Sequence, residues 1–303
     1  MTDLRFDGRV AVVTGAGGGL GRAYALLLAS RGAGVVVNDI GTTADGASAA
    51  DAVVEEIRRA GGTAVADRNS VSTAEGGEAL VGTALETLGR VDIVVNNAGI
   101  VRDKVFHKLT REMLDAVLDV HLRGAFFVTQ PAWRAMREQG YGRVVFTSSS
   151  SGILGNFGQS NYGAAKMGLV GLTRVLAAEG ERNGIRVNAI APSARTSMTA
   201  DVLDGTAGDL DPAHVAPVVG WLAHEDVPVT GEVFTAGAGR VARFFVGMTQ
   251  GYTNPRLTLE DVAAHVAEIR DETGYTVPAG PADELTHILA AAQRAAAAAE
   301  PAT

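Results

Sequence analysis

A chain of 303 residues with 47% hydrophobic content can bury a full core, and a formal charge of −8 argues against a nucleic-acid backbone as its main partner. It contains no cysteine, which removes thiolate nucleophiles, cysteine-zinc sites and disulfides together. No apolar run reaches the roughly 18 to 20 residues of a bilayer span. The opening MTDLRFDGRVAVVTG does not read as a signal peptide and the closing PAT is not a peroxisomal address, so a cytoplasmic location without a membrane span is expected.

Valine- and isoleucine-rich runs bounded by turn residues predict strands at Arg9–Thr14, Gly34–Asn38, Thr63–Ala66, Val91–Val95, Arg143–Thr147, Ile185–Ile190 and Glu232–Thr235. They are continuous rather than alternating, as strands covered on both faces should be. Helical periodicity lies between them at Leu20–Ser30, Ala47–Ala60, Ala74–Leu88, Thr110–Gln139 and Asn161–Asn183. The alternation predicts an α/β fold, a doubly wound parallel sheet of about seven strands of the Rossmann type, with ligands at the strands' carboxyl ends. Composition changes after residue 247, so residues 1–247 are expected to form the dinucleotide-binding and catalytic domain. Residues 248–303 would be a helical extension packing on the core or on a partner subunit. Its alanine-rich end, Leu289–Glu300, reads equally as a fraying tail or as a docking helix.

Between the first strand and the first helix stands Thr14-Gly15-Ala16-Gly17-Gly18-Gly19-Leu20-Gly21. Gly15 permits the tight turn, Gly19 lets the backbone approach a pyrophosphate, and Gly21 lets the helix pack close to the sheet. The helix N-terminus adds amides and the positive end of its dipole. Asp39 ends the second strand, where a carboxylate receives ribose hydroxyls and repels a 2′-phosphate. No arginine follows in Ile40-Gly41-Thr42-Thr43, so NAD rather than NADP is the expected cofactor. Asn96-Asn97-Ala98-Gly99, after the fourth strand, offers small residues and amides to a nicotinamide ribose.

Ser149, Tyr162 and Lys166 are the candidate catalytic set. Tyr162 and Lys166 are one helical turn apart, and an ammonium beside a phenol lowers the phenol's pKa from about 10. The phenol then serves as general base in oxidation, while Ser149 holds the substrate oxygen. An exposed helix pair would read the same way, but lysine is rare here: Lys104, Lys108 and Lys166 are the three in the chain. The six histidines show no metal-ligand spacing, so no metal is expected.

TGAGGGLG, NNAG, the serine thirteen residues before the tyrosine, YGAAK and VNAIAP together resemble the short-chain dehydrogenase/reductase family over about residues 5–240. VVVNDIG, NNAGIVRDKVF, DVHLRGAFFVT and SSSSGILGNFGQSNYGAAK resemble its (3R)-hydroxyacyl-CoA dehydrogenase branch, to about residue 292. The resemblance implies pyrophosphate contacts at Gly15, Gly19, Leu20 and Gly21, a ribose contact at Asp39, adenine contacts at Ser70 and Val71, and a nicotinamide-ribose contact at Asn97 beside Ala98 and Gly99. It implies dinucleotide contacts from Tyr162 and Lys166, and carboxamide contacts from the Pro192–Thr196 loop. Two residues depart from the wider family: His121 stands where an asparagine helps to hold a water, and Ser193 follows Pro192 in place of glycine. His121 reads equally as a fourth catalytic position or as a hydrogen-bonded core residue.

The implied activity is NAD-dependent oxidation of a secondary alcohol, foremost a (3R)-3-hydroxyacyl-CoA. The alternatives are a hydroxysteroid or steroid-side-chain acyl-CoA, an NADPH-linked 3-oxoacyl reduction, and a non-catalytic dinucleotide sensor. A homodimer or homotetramer is implied by the resemblance alone. Arg102 and Arg195 lie near substrate-facing loops, where solvated surface is the plainer reading of each.

Overall fold

The structure, a computed structural model, describes residues 3–199, 205 and 208–299. The Glu300 end of the alanine run, the closing PAT and the first two residues lie outside the described residues.

Eight strands make one sheet: β1 (Val10–Thr14), β2 (Gly34–Asn38), β3 (Thr63–Asp67), β4 (Ile93–Asn96), β5 (Gly142–Thr147), β6 (Ile185–Pro192), β7 (Val233–Gly237) and β8 (Arg240–Phe244). Their order is β3-β2-β1-β4-β5-β6-β7-β8, and every pairing from β3 through β7 is parallel. This is the expected doubly wound sheet, with β1 and β4 side by side where the strand order reverses and a crevice opens at the carboxyl edge. The β-branched runs form the middle of it because both their faces are covered: all of β1, β4 and β5 is buried.

Helices α1 (Gly19–Ser30) and α2 (Ala49–Arg59) cover one face, and Tyr24, Leu28, Val53 and Ile57 bury their side chains there. With them lies α8 (Ala216–Ala223), an apolar segment without helical periodicity that the sequence reading leaves out. The opposite layer contains α3 (Ala74–Leu88), α4 (Arg111–Leu118), α5 (Gly124–Gln139) and α7 (Ser160–Gly180). Helix α6 (Ser150–Leu154) is a short turn after β5. The single helix predicted over Thr110–Gln139 is interrupted by a π-helical turn, Asp119–Arg123, that turns His121 into the interior.

β8 has no counterpart in the sequence reading. It returns from β7 through Ala238 and Gly239, both at positive φ (48° and 76°), the geometry of a primed two-residue hairpin turn. Its residues are half-buried or exposed, so the apolar signature of a covered strand is missing.

Opposite the crevice, at the amino edge of the sheet, Asp92 is fully buried and collects four donors. Arg90 supplies Nε and Nη2, both at 2.7 Å, Arg9 supplies Nη1 at 3.1 Å, and the Val10 amide lies at 2.9 Å. Nearby, the buried Arg143 guanidinium donates to the carbonyls of Gly142, Gly184, His224 and Glu225 and lies over the Tyr141 ring.

The chain divides into two compact units, Met1–Arg243 and Phe244–Thr303. The second contains α9 (Leu259–Ala264), α10 (Val266–Ile269) and α11 (Pro281–Ala299). A capping box of Thr258 and Asp261 starts α9, and Tyr252 stacks on His265 with ring centroids 3.7 Å apart. Among the described residues, no helix is long and apolar enough to cross a membrane.

Candidate active site

The glycine loop fits a dinucleotide. Gly15 and Gly19 take positive φ (61° and 50°), open to glycine without steric cost. A Cβ on Gly15 would lie 2.7 Å from Ala98 Cα, and one on Gly21 would lie 2.1 Å from Gly15 O. The loop is therefore as close to β4 and to itself as bare backbone allows. Gly18 gives α1 an N-cap with no side chain folded over the amides, so they face an incoming pyrophosphate. Asp39 is half-exposed and holds the loop open from the side, accepting from Gly17 N (2.8 Å) and Gly41 N (2.7 Å). Thr196 reaches the same loop, its Cγ2 3.2 Å from where a Gly19 Cβ would be.

Other predicted contacts are more indirect. Asn97 spends its side-chain amide on Thr14 O and Gly15 O, both at 3.1 Å, so it braces the glycine loop. The Ser70 hydroxyl meets Ser72 Oγ at 2.8 Å, and Val71 is buried beneath it. Pro192 closes β6 opposite Ala236, and Ser193 N donates to Ala236 O at 2.8 Å. Leu20 is half-buried against the core cluster. Arg102 donates to the carbonyl of its neighbour Val101.

Ser149 caps α6, accepting from Ser151 N at 3.1 Å, and its O–H faces the Tyr162 phenol. Tyr162 and Lys166 share one side of α7. Asn161, fully buried, fixes the first turn: its Nδ2 donates to Arg102 O (3.0 Å) and Met113 O (3.2 Å), and its Oδ1 accepts from Tyr162 N (2.8 Å). The Tyr162 ring stands edge-on to His121, centroids 5.1 Å apart.

His121 is 3% exposed and packs where Gly99 has no side chain; a Cβ there would meet its Cε1 at 2.4 Å. Its Nε2 meets both Ile100 O at 2.7 Å and Ile100 N at 3.0 Å, donating to the first or accepting from the second according to tautomer, and buried Nδ1 has no partner among the described residues. Burial first, and Lys166 second, hold its pKa down at about 3, so the ring is neutral at working pH. Thr14, Asn96, His121 and Lys166 line a small polar cleft floored by Val71.

The Tyr–Lys pair differs from the sequence expectation in its charge state. Lys166 Nζ turns to Thr147 O at 2.5 Å and lies 5.5 Å from the Tyr162 ring centroid. Burial lowers the Lys166 pKa to about 7. Burial pushes the Tyr162 phenol up, Ser149 draws it down, and Asp103 raises it. Burial, the largest influence, holds the phenol above its ordinary value in this state.

A measurable consequence follows for stability. From about pH 7 up to the ordinary lysine value near 10.4, the unfolded chain binds a proton that the folded chain releases, so stability rises with pH by up to about 1.4 kcal/mol per unit. Urea midpoints of the unaltered chain and Lys166→Met, compared from about pH 7 to 9.5, should show the unaltered chain gaining on the variant. A constant difference would contradict the buried ammonium.

Thr14 and Asp67 belong to the site, although the sequence reading assigns them no role. The Thr14 hydroxyl accepts from the amides of Asn97 and Ala98, each at 3.0 Å. Asp67 gathers Asn38, Asn69 and Thr83, which fixes the end of β3 beside β2. The adjacency of Thr14 to Gly15 is a sequence signal for the first; for Asp67, Asn69 is two residues on but Asn38 and Thr83 lie 29 and 16 residues away.

A dinucleotide cradle at the order reversal of a parallel sheet, with serine, tyrosine and lysine at its rim, defines an oxidoreductase acting on CH–OH groups. The chain belongs to the short chain dehydrogenase family, which it matches over residues 9–206, and dehydrogenases of this family use nicotinamide cofactors. It is 56% identical over 284 residues to peroxisomal multifunctional enzyme type 2 of Mus musculus, a match covering 91% of this chain and 38% of that protein. It is 45% identical over 249 residues to a hydroxyacyl-CoA dehydrogenase of Mycobacterium tuberculosis, covering 77% and 78% respectively. The structure of full-length peroxisomal multifunctional enzyme type 2 from Drosophila melanogaster superposes with a TM-score of 0.81 at 41% identity, covering 96% of this chain and 50% of that one. The chain thus spans half or less of these two multifunctional enzymes.

Proposed function

We propose that the chain oxidises a (3R)-3-hydroxyacyl-CoA to the 3-oxoacyl-CoA with NAD, using Tyr162 as general base. The observation that carries this is the placement of Tyr162 and Lys166 on one side of α7, with Ser149 at the rim of a glycine cradle. The relatives named as a hydroxyacyl-CoA dehydrogenase and as multifunctional enzymes support the substrate class.

Ser149, whose O–H faces the Tyr162 phenol, would hold the substrate oxygen beside that phenol. Tyr162, once ionised to the phenolate, takes the hydroxyl proton and becomes the phenol as the carbon-bound hydrogen leaves as hydride. A bound nicotinamide supplies the hydride acceptor at its C4. Lys166, when protonated, stabilises the phenolate across the turn of α7. Neutral His121 backs the Tyr162 ring without placing a second cation beside it.

NAD is favoured because Asp39 presents a carboxylate where NADP would bring a phosphate, and residues 40–43 hold no arginine. Steady-state oxidation of 3R and 3S hydroxyacyl-CoAs with each cofactor tests the reading. The 3R thioester with NAD should be preferred over NADP by about a hundredfold, and Asp39→Ala should reduce that preference at least about tenfold. Turnover of the 3S isomer alone, or a preference for NADP, would overturn it.

A further inference from the structure

Two of the three lysines take no part in the chemistry described, and both lie on the loop between β4 and α4. Residues 102–111 hold four cations, Arg102, Lys104, Lys108 and Arg111, against one carboxylate, Asp103, in a chain of net charge −8. Arg111 is paired with Asp115, and Asp103 accepts from Gln159 Nε2 at 2.6 Å. Lys104 and Lys108 are exposed, with no carboxylate in ion-pair distance among the described residues.

The same loop carries Phe106, which is 80% exposed. The facing segment, from the end of α6 to the start of α7, carries Leu154 and Phe157, 72% and 90% exposed. Three bonds tie the two segments together: Lys104 N to Gly158 O (2.8 Å), Gln159 Nε2 to Asp103, and Asn161 Nδ2 to Arg102 O (3.0 Å). The facing segment also joins the helix that Ser149 caps to the helix that carries Tyr162. Large apolar side chains beside unpaired ammonium groups are costly to leave in water and mark a binding surface. This one is continuous with the catalytic rim.

We propose that this lip docks the coenzyme A portion of the thioester, with Lys104 and Lys108 meeting its phosphates and Phe106, Leu154 and Phe157 covering the pantetheine arm. The assignment rests on the acyl-CoA reading above. Charge complementarity selects this occupant: coenzyme A joins anionic phosphates to a long, weakly polar arm that must end at Tyr162.

The test uses the double variant Lys104→Ala/Lys108→Ala. Coenzyme A itself, titrated by calorimetry, should bind the variant about tenfold more weakly than the unaltered chain. Its affinity for the unaltered chain should fall as salt rises from about 0.05 to 0.5 M. Equal affinity for both proteins overturns the proposal. In turnover, the ratio of kcat/KM for a hydroxyacyl-CoA to that for the matching N-acetylcysteamine thioester should fall about tenfold in the variant, and an unchanged ratio also overturns it. If neither thioester is oxidised, the catalytic reading fails while the coenzyme A titration still decides the lip.

Discussion

Tyr162→Phe is expected to lower kcat by about a thousandfold or more, the usual worth of a positioned general base lying between about 10² and 10⁴. The substitution removes one oxygen and little else. The ring keeps its edge-on packing against His121, and the first turn of α7 stays pinned by Asn161 to Arg102 O and Met113 O. Thermal unfolding should therefore change by no more than a few degrees, and dinucleotide affinity, read by fluorescence titration, should fall by less than about tenfold. A variant keeping more than about a tenth of the original kcat would reassign the base. Lys166 Nζ lies 5.5 Å from the centre of the Tyr162 ring and is held on Thr147 O.

Asp92→Ala should destabilise the fold by about 3 kcal/mol with the chemistry of the folded enzyme intact. Asp92 is fully buried at the start of β4 and receives Arg9, Arg90 and the Val10 amide, so its loss strips an acceptor from two guanidiniums and from the main chain leading into β1. Arg9 and Arg90 are partly exposed and reach water, which keeps the cost below that of two stranded interior charges. Urea denaturation checks the magnitude, and kcat of the variant at low temperature checks that the far end of the strand is undisturbed. A loss below about 0.5 kcal/mol would mean that water replaces the carboxylate.

What the sequence discloses here is what depends on neighbours along the chain. Continuous apolar runs at 10–13 (Val-Ala-Val-Val) and 35–37 (Val-Val-Val) specify covered strands, and the spacing of Tyr162 and Lys166 on a helix makes them neighbours. Interactions that cross the sheet are hidden: Thr14 meets Asn97 from 83 residues away, so the bracing of the glycine loop by the Asn97 amide is not legible in the sequence. The π-helical turn at 119–123 was hidden because inserting one residue into a helix leaves its periodicity nearly unchanged on either side. The charge state of the Tyr–Lys pair was hidden for a related reason. Spacing says that two groups meet, whereas their pKa values depend on how much water each retains.

Arg143 carries a consequence for how the chain is made. Its four acceptors come from residues 142, 184, 224 and 225, so the guanidinium leaves the ribosome long before most of the carbonyls that will surround it. Until residue 225 has been synthesised, β5 cannot be sealed at its amino end without stranding a buried charge. The amino end of β5 is thus satisfied only by residues up to 225, whereas β1, β2 and β3 pair with one another within residues 10–67.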